Sequence, residues 1–261
     1  MKNKIRLAIS GASGRMGQRL MALGAADSRF QLIAGVERPE NDAVGRFSTN
    51  GNAPIVGNIH EVLPKTDVVI DFTAPEATLK NAARVASGRC ALVIGTTGLK
   101  AAQVNRLKNL SHRIPIVFSP NMSVGVNLLF ELVRKAAEAL GHYDIEIVEA
   151  HHNLKKDSPS GTAMKLAELA ALGSKRSSRD FVFGREGLVG ARKKKEIGIL
   201  AVRAGDIVGD HTVMLAGPGE RIELTHRAHS RDAFAAGALD AAACVFKRRP
   251  GFYSMKNVLG L

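Results

Sequence analysis

The first half of the chain alternates between short apolar runs and longer amphipathic segments. Five runs rich in Val, Ile and Leu are typical of strands: IRLAIS, FQLIAGVE, TDVVIDFT, CALVIGTTG and IPIVFSP. Helical patterns follow several of them, namely RMGQRLMALGAA, PEATLKNAARVAS and LKAAQVNRLKNLS. Near-continuous apolar strands between amphipathic helices are characteristic of a parallel sheet that is buried on both faces. The sequence therefore predicts an α/β fold with a Rossmann-type doubly wound sheet over residues 1–122.

The pattern changes near residue 123. A helical segment, NLLFELVRKAAEALG, is followed by the alternating strand pattern YDIEIVEAHH and a further helical segment, GTAMKLAELAALG. Four strand-like pieces then follow without helices between them: DFVFGR, IGILAVRAG, GDHTVMLAG and ERIELTHRAH. This order predicts a second, α+β domain over residues 123–230 with a mixed or antiparallel sheet. The last long segment, SRDAFAAGALDAAACVFKR, is predicted to be a helix.

The formal net charge of +13 is compatible with nucleic-acid binding, with a solvated basic surface, or with attraction of anionic small molecules. The basic clusters are small, ARKKKE at 191–196 and KRRP at 247–250. Aromatic residues make up 5% of the chain and Trp is absent, although bases usually stack on aromatic side chains. We therefore favour a basic surface or anion attraction over a nucleic-acid partner.

Cysteine content and hydropathy indicate the compartment. Cys90 and Cys244 are the only cysteines, which excludes a disulfide framework and fits a reducing cytoplasm. No apolar run approaches the roughly 20 residues that span a bilayer, so no membrane partner is expected. The opening MKNKIRLAIS lacks the small-residue cleavage site of a signal peptide.

A glycine-rich turn follows the first predicted strand. The stretch GASGRMG at 11–17 spaces three glycines by three residues, with Ser13 where the usual dinucleotide-binding pattern has its second glycine. Glu37 ends the second strand about 20 residues later, where an acid binds the adenosine ribose. Arg38 is the residue type that pairs with a 2′-phosphate instead. A turn without ligand is the alternative for the glycines alone, but the combination predicts binding of NADH, NADPH or both.

Two further loops follow predicted strands of the same sheet. GTTG at 95–98 follows the fourth strand and SPNMS at 119–123 follows the fifth. Ligands of open parallel sheets bind outside the carboxyl ends of the strands. Each loop is therefore a candidate for the nicotinamide side, although either one alone is also an ordinary strand-to-helix connection.

The stretch EAHHNLKKDSPSGTA at 149–163 gathers groups that titrate or bind anions. A solvated loop is the simplest interpretation of such a charged run. The alternative is a substrate site, with His151 and His152 at a strand end pointing to opposite faces. Ser160 is a predicted helix N-cap, and the following N–H groups at 161–162 can hold a carboxylate. A zinc site is disfavoured because adjacent strand histidines converge poorly on one ion, and a serine hydrolase is excluded because G-x-S-x-G is absent.

These motifs together resemble the 4-hydroxy-tetrahydrodipicolinate reductase family, also called dihydrodipicolinate reductase. The resemblance rests on GASGRMG, DFTAPEATL, GTTG, NMSVGVN, EAHHNLKKDSPSGTA, RAGDIVGDHTV and ERIELTHRAHSRDAFAAGAL. It implies reduction of a small cyclic dicarboxylate imine by NAD(P)H with loss of water, in the diaminopimelate route to lysine. It also implies a homotetramer built through the second domain's sheet, with the C-terminal segment 231–261 returning to the nucleotide domain.

The resemblance also implies roles for individual residues. His151 and Lys155 are implied to transfer protons, and no metal is implied. The implied substrate-binding residues are His152, Ser160, Gly161 and Thr162. The implied cofactor-binding residues are Gly11, Ala12, Ser13, Gly14, Arg15, Met16, Glu37, Arg38, Gly95, Thr96, Thr97, Ser119, Pro120, Asn121 and Met122.

Two departures from the family pattern bear on affinity. The His-His-Arg-His-Lys run of well-known members has Asn153 and Leu154 here, which removes one arginine and one histidine. Ala74 stands where some members carry an arginine, which removes one contact to a cofactor phosphate. The alternatives are another Rossmann-type reductase of aspartate-family metabolism and a non-catalytic NAD(P)-binding regulator. Neither alternative requires the His-His-x-x-Lys-x-Asp-x-Pro-Ser-Gly-Thr block.

Overall fold

The structure is a computed structural model that describes residues 4–48 and 53–261. It contains twelve strands and seven α-helices in the described residues. In chain order these are β1 (Ile5–Ser10), α1 (Arg15–Ala26), β2 (Phe30–Val36), β3 (Ile55–Val56), β4 (Val68–Asp71), α2 (Pro75–Ser87), β5 (Ala91–Ile94), α3 (Ala101–Leu110), β6 (Pro115–Phe118), α4 (Val124–Ala139), β7 (Asp144–His151), α5 (Gly161–Gly173), β8 (Phe181–Val182), β9 (Ile197–Arg203), β10 (Gly209–Gly217), β11 (Glu220–Ala228), α6 (Asp232–Val245), β12 (Gly251–Tyr253) and α7 (Met255–Leu259).

The chain folds into two compact units. The first unit combines Met1–Val124 with Arg231–Leu261, and the second is Gly125–Ser230. In the first unit, seven parallel strands form one sheet in the order β12-β6-β5-β4-β1-β2-β3. The predicted Rossmann-type sheet is confirmed, with β3 and β12 as additional edge strands.

Apolar side chains cover both faces of the seven-stranded sheet. On one face, alternate strand residues such as Leu7 and Val68 pack against α1, α6 and α7. On the other face, neighbours such as Ala8 and Val69 pack against α2 and α3. Because successive strand residues point to opposite faces, two buried faces require every residue of a central strand to be apolar or paired. This explains the continuous apolar runs in the sequence.

The second unit is built on a five-stranded mixed sheet. Its strand order is β11-β10-β7-β9-β8. β9 is parallel to β7 and β8, whereas β10 is antiparallel to β7 and β11. Ile145 and Ile147 of β7 lie in the core together with Val133 of α4 and Ala167 of α5. The prediction of a mixed sheet is confirmed.

None of the helices described is both long enough and apolar enough to span a membrane.

Candidate active site

The loop between β1 and α1 brings backbone segments too close for side chains. Gly11 has a φ of +82°, and a Cβ at this position would lie 2.4 Å from the Phe72 carbonyl oxygen. A Cβ at Gly17, in the first turns of α1, would lie 1.9 Å from the Gly11 carbonyl oxygen. Only glycine fits both positions, so the helix N-terminus stays close to the strand end. This is the backbone geometry that brings a pyrophosphate to a helix N-terminus.

Glu37, just after β2, hydrogen-bonds to this turn. Its Oε1 accepts hydrogen bonds from the Ser13 backbone N–H at 2.8 Å and from the Ser13 hydroxyl at 2.6 Å. The Asn41 side-chain amide donates to the Ser13 hydroxyl oxygen at 3.1 Å. Ser13 therefore anchors the acid that the sequence assigns to the ribose, which gives a function to the residue that replaces the usual glycine.

A cleft of about 690 Å³ lies beside the turn. Five predicted cofactor residues line it: Gly11, Ser13, Gly14, Glu37 and Arg38. Lys80 and Arg84 of α2 also line the cleft, and the sequence analysis missed both. Their spacing of four residues on one helix puts them on the same face, which was the available signal. The cleft is therefore lined by three cationic side chains and two carboxylates, Glu37 and Glu76.

The other predicted cofactor residues lie outside this cleft. Arg15, Thr97 and Pro120 are exposed, Met16 and Asn121 are half-buried, and Ala12 and Met122 are buried in the core. Gly95 packs on the Phe72 ring, and the Ser119 hydroxyl donates to the Asn121 carbonyl oxygen at 2.6 Å. The roles of these residues stay predictions.

Thr96 belongs to a buried polar network at the end of β4. Asp71 is fully buried and accepts hydrogen bonds from the hydroxyls of Thr73, Thr78 and Thr96. The Asn81 amide donates to the other Asp71 oxygen at 2.8 Å and to the Ser10 hydroxyl oxygen at 2.9 Å. A buried carboxylate needs such donors to offset its lost hydration. The network thereby holds the ends of β1, β4 and β5 in register.

In the second unit, β7 places Glu149 and His151 on the same face. Residues two apart on a strand share a face, and this one is buried. His151 Nδ1 lies 2.6 Å from Glu149 Oε2. Arg203, paired with His151 across the β7–β9 ladder, donates one hydrogen bond to each Glu149 oxygen at 2.8 Å. The Ser160 N–H donates to Glu149 Oε1 at 2.9 Å.

These donors keep Glu149 ionised. Burial by itself raises the pKa of Glu149, but hydrogen bonds from Arg203, His151 and the Ser160 N–H outweigh burial, so the pKa is lower than usual. For His151, burial lowers the pKa more than Glu149 raises it. At neutral pH this arrangement favours an ionised Glu149 beside a neutral His151.

A second histidine packs against the first. His211 of β10 lies edge-on to His151, with ring centroids 5.2 Å apart. Its Nε2 is 3.0 Å from the Ser160 hydroxyl oxygen, which also accepts the Ala163 N–H at 3.1 Å. Burial, followed by the nearby His151, lowers the pKa of His211 to about 3. His211 is therefore a neutral, packed neighbour of His151.

The segment after β7 carries the predicted basic residues. The Lys155 ammonium donates to both oxygens of Asp157, at 2.8 and 2.9 Å. The backbone N–H of His152 donates to the Ile207 carbonyl oxygen at 2.7 Å. The ring Nδ1 of His152 is buried without a hydrogen-bond partner among the described residues. Arg203 also donates to the Asp157 carbonyl oxygen at 2.7 Å. These bonds tie the segment to β9 and to the β9–β10 connection.

Helix α5 begins immediately after this segment. Ser160 is the N-cap, as predicted, because its side chain accepts the Ala163 N–H. Gly161 is exposed, and a Cβ there would meet no atom within 4 Å. N–H groups in the first turn of a helix lack intrahelical acceptors, and they attract anions. The N-terminus of α5 can therefore accept a carboxylate within the same unit as His151.

No motif in the sequence indicates a role for Glu149, Arg203 or His211. Glu149 has the same strand parity as His151, which was a usable signal. Arg203 and His211 lie on other strands, and no local spacing relates them to His151. No group of three or more His, Cys, Asp or Glu residues in the described ranges 4–48 and 53–261 is arranged to hold a metal ion.

Known proteins match this chain over nearly its whole length. The family models described as "Dihydrodipicolinate reductase, N-terminus" and "Dihydrodipicolinate reductase, C-terminus" match residues 5–122 and 125–259. A 4-hydroxy-tetrahydrodipicolinate reductase of Desulfotalea psychrophila is 50% identical, covering 98% of each chain. The enzyme of that name from Aquifex aeolicus is 46% identical, covering 98% of this chain and 99% of the relative.

A solved structure has the same fold over the same length. It is the dipicolinate-bound dihydrodipicolinate reductase from Paenisporosarcina sp. TG-14, with a TM-score of 0.81 and 25% identity. The match covers 98% of this chain and 99% of that one. More distant structures, such as GenD2 with bound NAD at 15% identity and a TM-score of 0.62, share the fold alone.

Proposed function

Because this chain belongs to the dihydrodipicolinate reductase family, we propose that it reduces 4-hydroxy-tetrahydrodipicolinate to tetrahydrodipicolinate with NADH or NADPH and with loss of water. The reaction is a step of the diaminopimelate route to lysine. The observation that carries the assignment is the buried Glu149–His151 pair beside the N-terminus of α5. Reduction of a cyclic dicarboxylate imine needs a proton-transfer group next to an anion-binding surface, and the Glu149–His151 pair and the N-terminus of α5 support these two assignments.

The first unit fits a nicotinamide dinucleotide. The Gly11–Gly17 contact leaves the N-terminus of α1 open to a phosphate, since a Cβ at Gly11 or Gly17 would collide with backbone. Glu37 offers a carboxylate for ribose hydroxyls, and Arg38 lies next to it in the same cleft. The bound cofactor supplies the hydride. The chain's own contribution is to hold the dinucleotide and to select between its two forms.

The second unit is assigned to the substrate. We assign one substrate carboxylate to the N–H groups of Gly161 and Thr162 at the start of α5, since a helix N-terminus attracts an anion and Gly161 leaves room for close approach. His152 and Lys155 supply further polar and positive groups in the adjoining segment. Ser160 acts on the substrate site through its cap, because its side chain fixes the first turn of α5.

Proton transfer is assigned to His151 and Lys155. Loss of water removes the hydroxyl group and one ring C–H proton, which leaves a C=C bond conjugated with the imine. Hydride addition to this bond then requires one proton at a ring atom. His151 has its Nδ1 engaged with Glu149, so Nε2 is the atom that exchanges a proton. The Lys155 ammonium donates hydrogen bonds to Asp157 in this structure. Once those bonds break, it can donate a proton to the substrate. General acid–base catalysis by such groups typically contributes about 10²–10⁴ in rate.

One assay tests the activity directly. Substrate generated freshly from pyruvate and aspartate semialdehyde is mixed with the protein and NADH, and oxidation of the nicotinamide is followed by absorbance. We expect NADH consumption that requires both the substrate and the protein. Binding of NADH without consumption would instead support a non-catalytic regulator.

We also propose a homotetramer assembled through the five-stranded sheet. The face of that sheet turned away from α5 carries Val148, Leu200, Val202 and Met214, none of which is buried. Val202 is exposed and the other three are half-buried, and apolar side chains grouped in this way on one face are typical of protein interaction sites. Light scattering is expected to give about four times the chain mass of 27.8 kDa.

We place the activity in the cytoplasm, where free thiols such as Cys90 and Cys244 persist.

The Arg38→Ala substitution is expected to weaken NADPH binding by about 1.5–3 kcal/mol and to leave NADH binding nearly unchanged. The reason is that only NADPH presents a 2′-phosphate to the guanidinium. Lys80 and Arg84 line the same cleft and retain some attraction for that phosphate, so residual NADPH use is expected. KM values for both cofactors at two salt concentrations provide the measurement. Equal losses for NADH and NADPH would mean that Arg38 only packs on the adenosine.

A further inference from the structure

We propose that Glu149 is a positioning residue that holds His151 in the tautomer protonated at Nδ1, so that Nε2 alone exchanges a proton with the substrate. The inference deepens the proposed function and rests on the assignment of His151 to proton transfer. Glu149 does not need to contact the substrate for this role, since it acts through the imidazole.

The hydrogen bonds around Glu149 are compatible with only one position for the proton between Glu149 and His151. Oε2 accepts from Arg203 at 2.8 Å and lies 2.6 Å from His151 Nδ1. Oε1 accepts from Arg203 at 2.8 Å and from the Ser160 N–H at 2.9 Å. The Arg203 guanidinium and the Ser160 backbone N–H can only donate, so both oxygens of Glu149 accept in these three bonds. An ionised Glu149 in turn requires the proton of the short contact to be on His151 Nδ1.

The opposite edge of the imidazole faces the first residue of β10. A Cβ at Gly209 would lie 2.9 Å from His151 Nε2, so any larger residue at this position would crowd this atom. His211 packs edge-on against the ring and is neutral, because burial lowers its pKa to about 3. It therefore does not compete with His151 for a proton at neutral pH.

Charged and titratable groups reach His151 from each neighbouring segment. They are Glu149 of β7 itself, Arg203 of β9, His211 of β10, and Lys155 with Asp157 of the segment before α5. Burial lowers the pKa of His151, Glu149 opposes this effect, and Lys155 and Arg203 lower the pKa further. Glu149 is thus the group that favours the imidazolium formed during proton transfer. A carboxylate plays the same two roles, orientation and cation stabilisation, in catalytic triads.

The test is Glu149→Gln in the full chain, with two readouts. NMR of the ligand-free protein labelled with ¹⁵N-histidine reports the tautomer, and the His151 signals are identified by their loss in His151→Gln. We expect a single Nδ1-protonated form in the parent protein and a mixture of tautomers in Glu149→Gln. We also expect the limb of the kcat–pH profile that reflects His151 to move to lower pH, because the stabilising negative charge is gone. At neutral pH, kcat is expected to fall about 10-fold or more, part of what a positioned acid or base contributes.

Glu146→Gln is the matched control. Glu146 is a carboxylate on the same strand, paired with Arg185 and Arg192, but it lies on the opposite face of the sheet. This variant should leave the His151 signals and the pH limb unchanged. Glu149→Asp provides a second variant, which keeps the negative charge but moves it further from Nδ1 because the side chain is one methylene shorter. We expect the pH limb to shift in the same direction by a smaller amount. Glu149→Asp replaces Glu149→Gln in both readouts if the glutamine variant does not fold.

Unchanged His151 signals and an unchanged pH limb in the Glu149 variants would overturn the proposal. Failure of the proposed function has a different signature. If His151→Gln keeps full kcat, His151 is not the proton-transfer group, yet NMR of the Glu149 variants still reports whether Glu149 fixes its tautomer.

Discussion

Replacing His151 with glutamine is expected to lower kcat by about 10²–10⁴, the usual contribution of a positioned acid or base. Glutamine preserves most of the side-chain volume, and its amide can still donate to Glu149. It does not titrate, so proton transfer is lost while the packing around β7 is largely retained. The affinity for NADH is expected to stay unchanged, because the glycine turn and Glu37 belong to the other unit.

Steady-state kinetics and a fluorescence titration with NADH separate these effects. His112→Gln, at an exposed histidine of the first unit, is the matched control and should behave like the parent protein. A kcat within about twofold of the parent would remove His151 from the mechanism. A loss of NADH binding together with kcat would indicate misfolding rather than lost proton transfer.

The elements of the fold were predictable where burial dictates composition. β4 and β5 are buried on both faces, so their residues must be apolar or, like Asp71, fully hydrogen-bonded, which separates these strands from amphipathic helices. β3 and β12 are two and three residues long, too short for any periodicity. Strand pairing in the second unit also was not predictable in detail. The parallel pairing of β9 with both β7 and β8 depends on contacts between distant segments, whereas hydropathy reports only which residues are buried.

The candidate site shows the same division. His151, Lys155 and Ser160 stand in one stretch of unusual composition, and the Ser160 cap follows from its place before an apolar helix. Glu149 lies in the same stretch and shares the strand parity of His151, but only the fold shows that its buried carboxylate contacts the imidazole. Arg203 reaches it only through the pairing of β7 with β9. The sequence therefore singles out candidate proton-transfer residues, and the tertiary fold determines which side chains lie against them.

Gly17→Ala is the second large effect that we expect, and it tests the glycine turn. The new Cβ would lie 1.9 Å from the Gly11 carbonyl oxygen and 2.7 Å from Ala12 Cα, and both are backbone atoms that side-chain rotation cannot move. Overpacking of this kind costs about 1–3 kcal/mol of unfolding free energy, and rigid surroundings favour the upper end. For a chain of this size that corresponds to a fall in Tm of roughly 2–12 °C. Thermal unfolding followed by circular dichroism gives the measurement.

Gly14→Ala in the same turn provides the matched control. Gly14 has a φ of −69°, which any residue adopts, and its added Cβ would approach only the Gly11 carbonyl oxygen, at 3.2 Å. We expect little loss of stability there. In Gly17→Ala, by contrast, the Gly11 carbonyl must shift, and the Gly14 N–H that donates to it at 3.1 Å shifts with it. NADH affinity should therefore fall together with Tm. An unchanged Tm and an unchanged NADH affinity would show that the turn relaxes at no cost, contrary to the role assigned to close helix–strand packing.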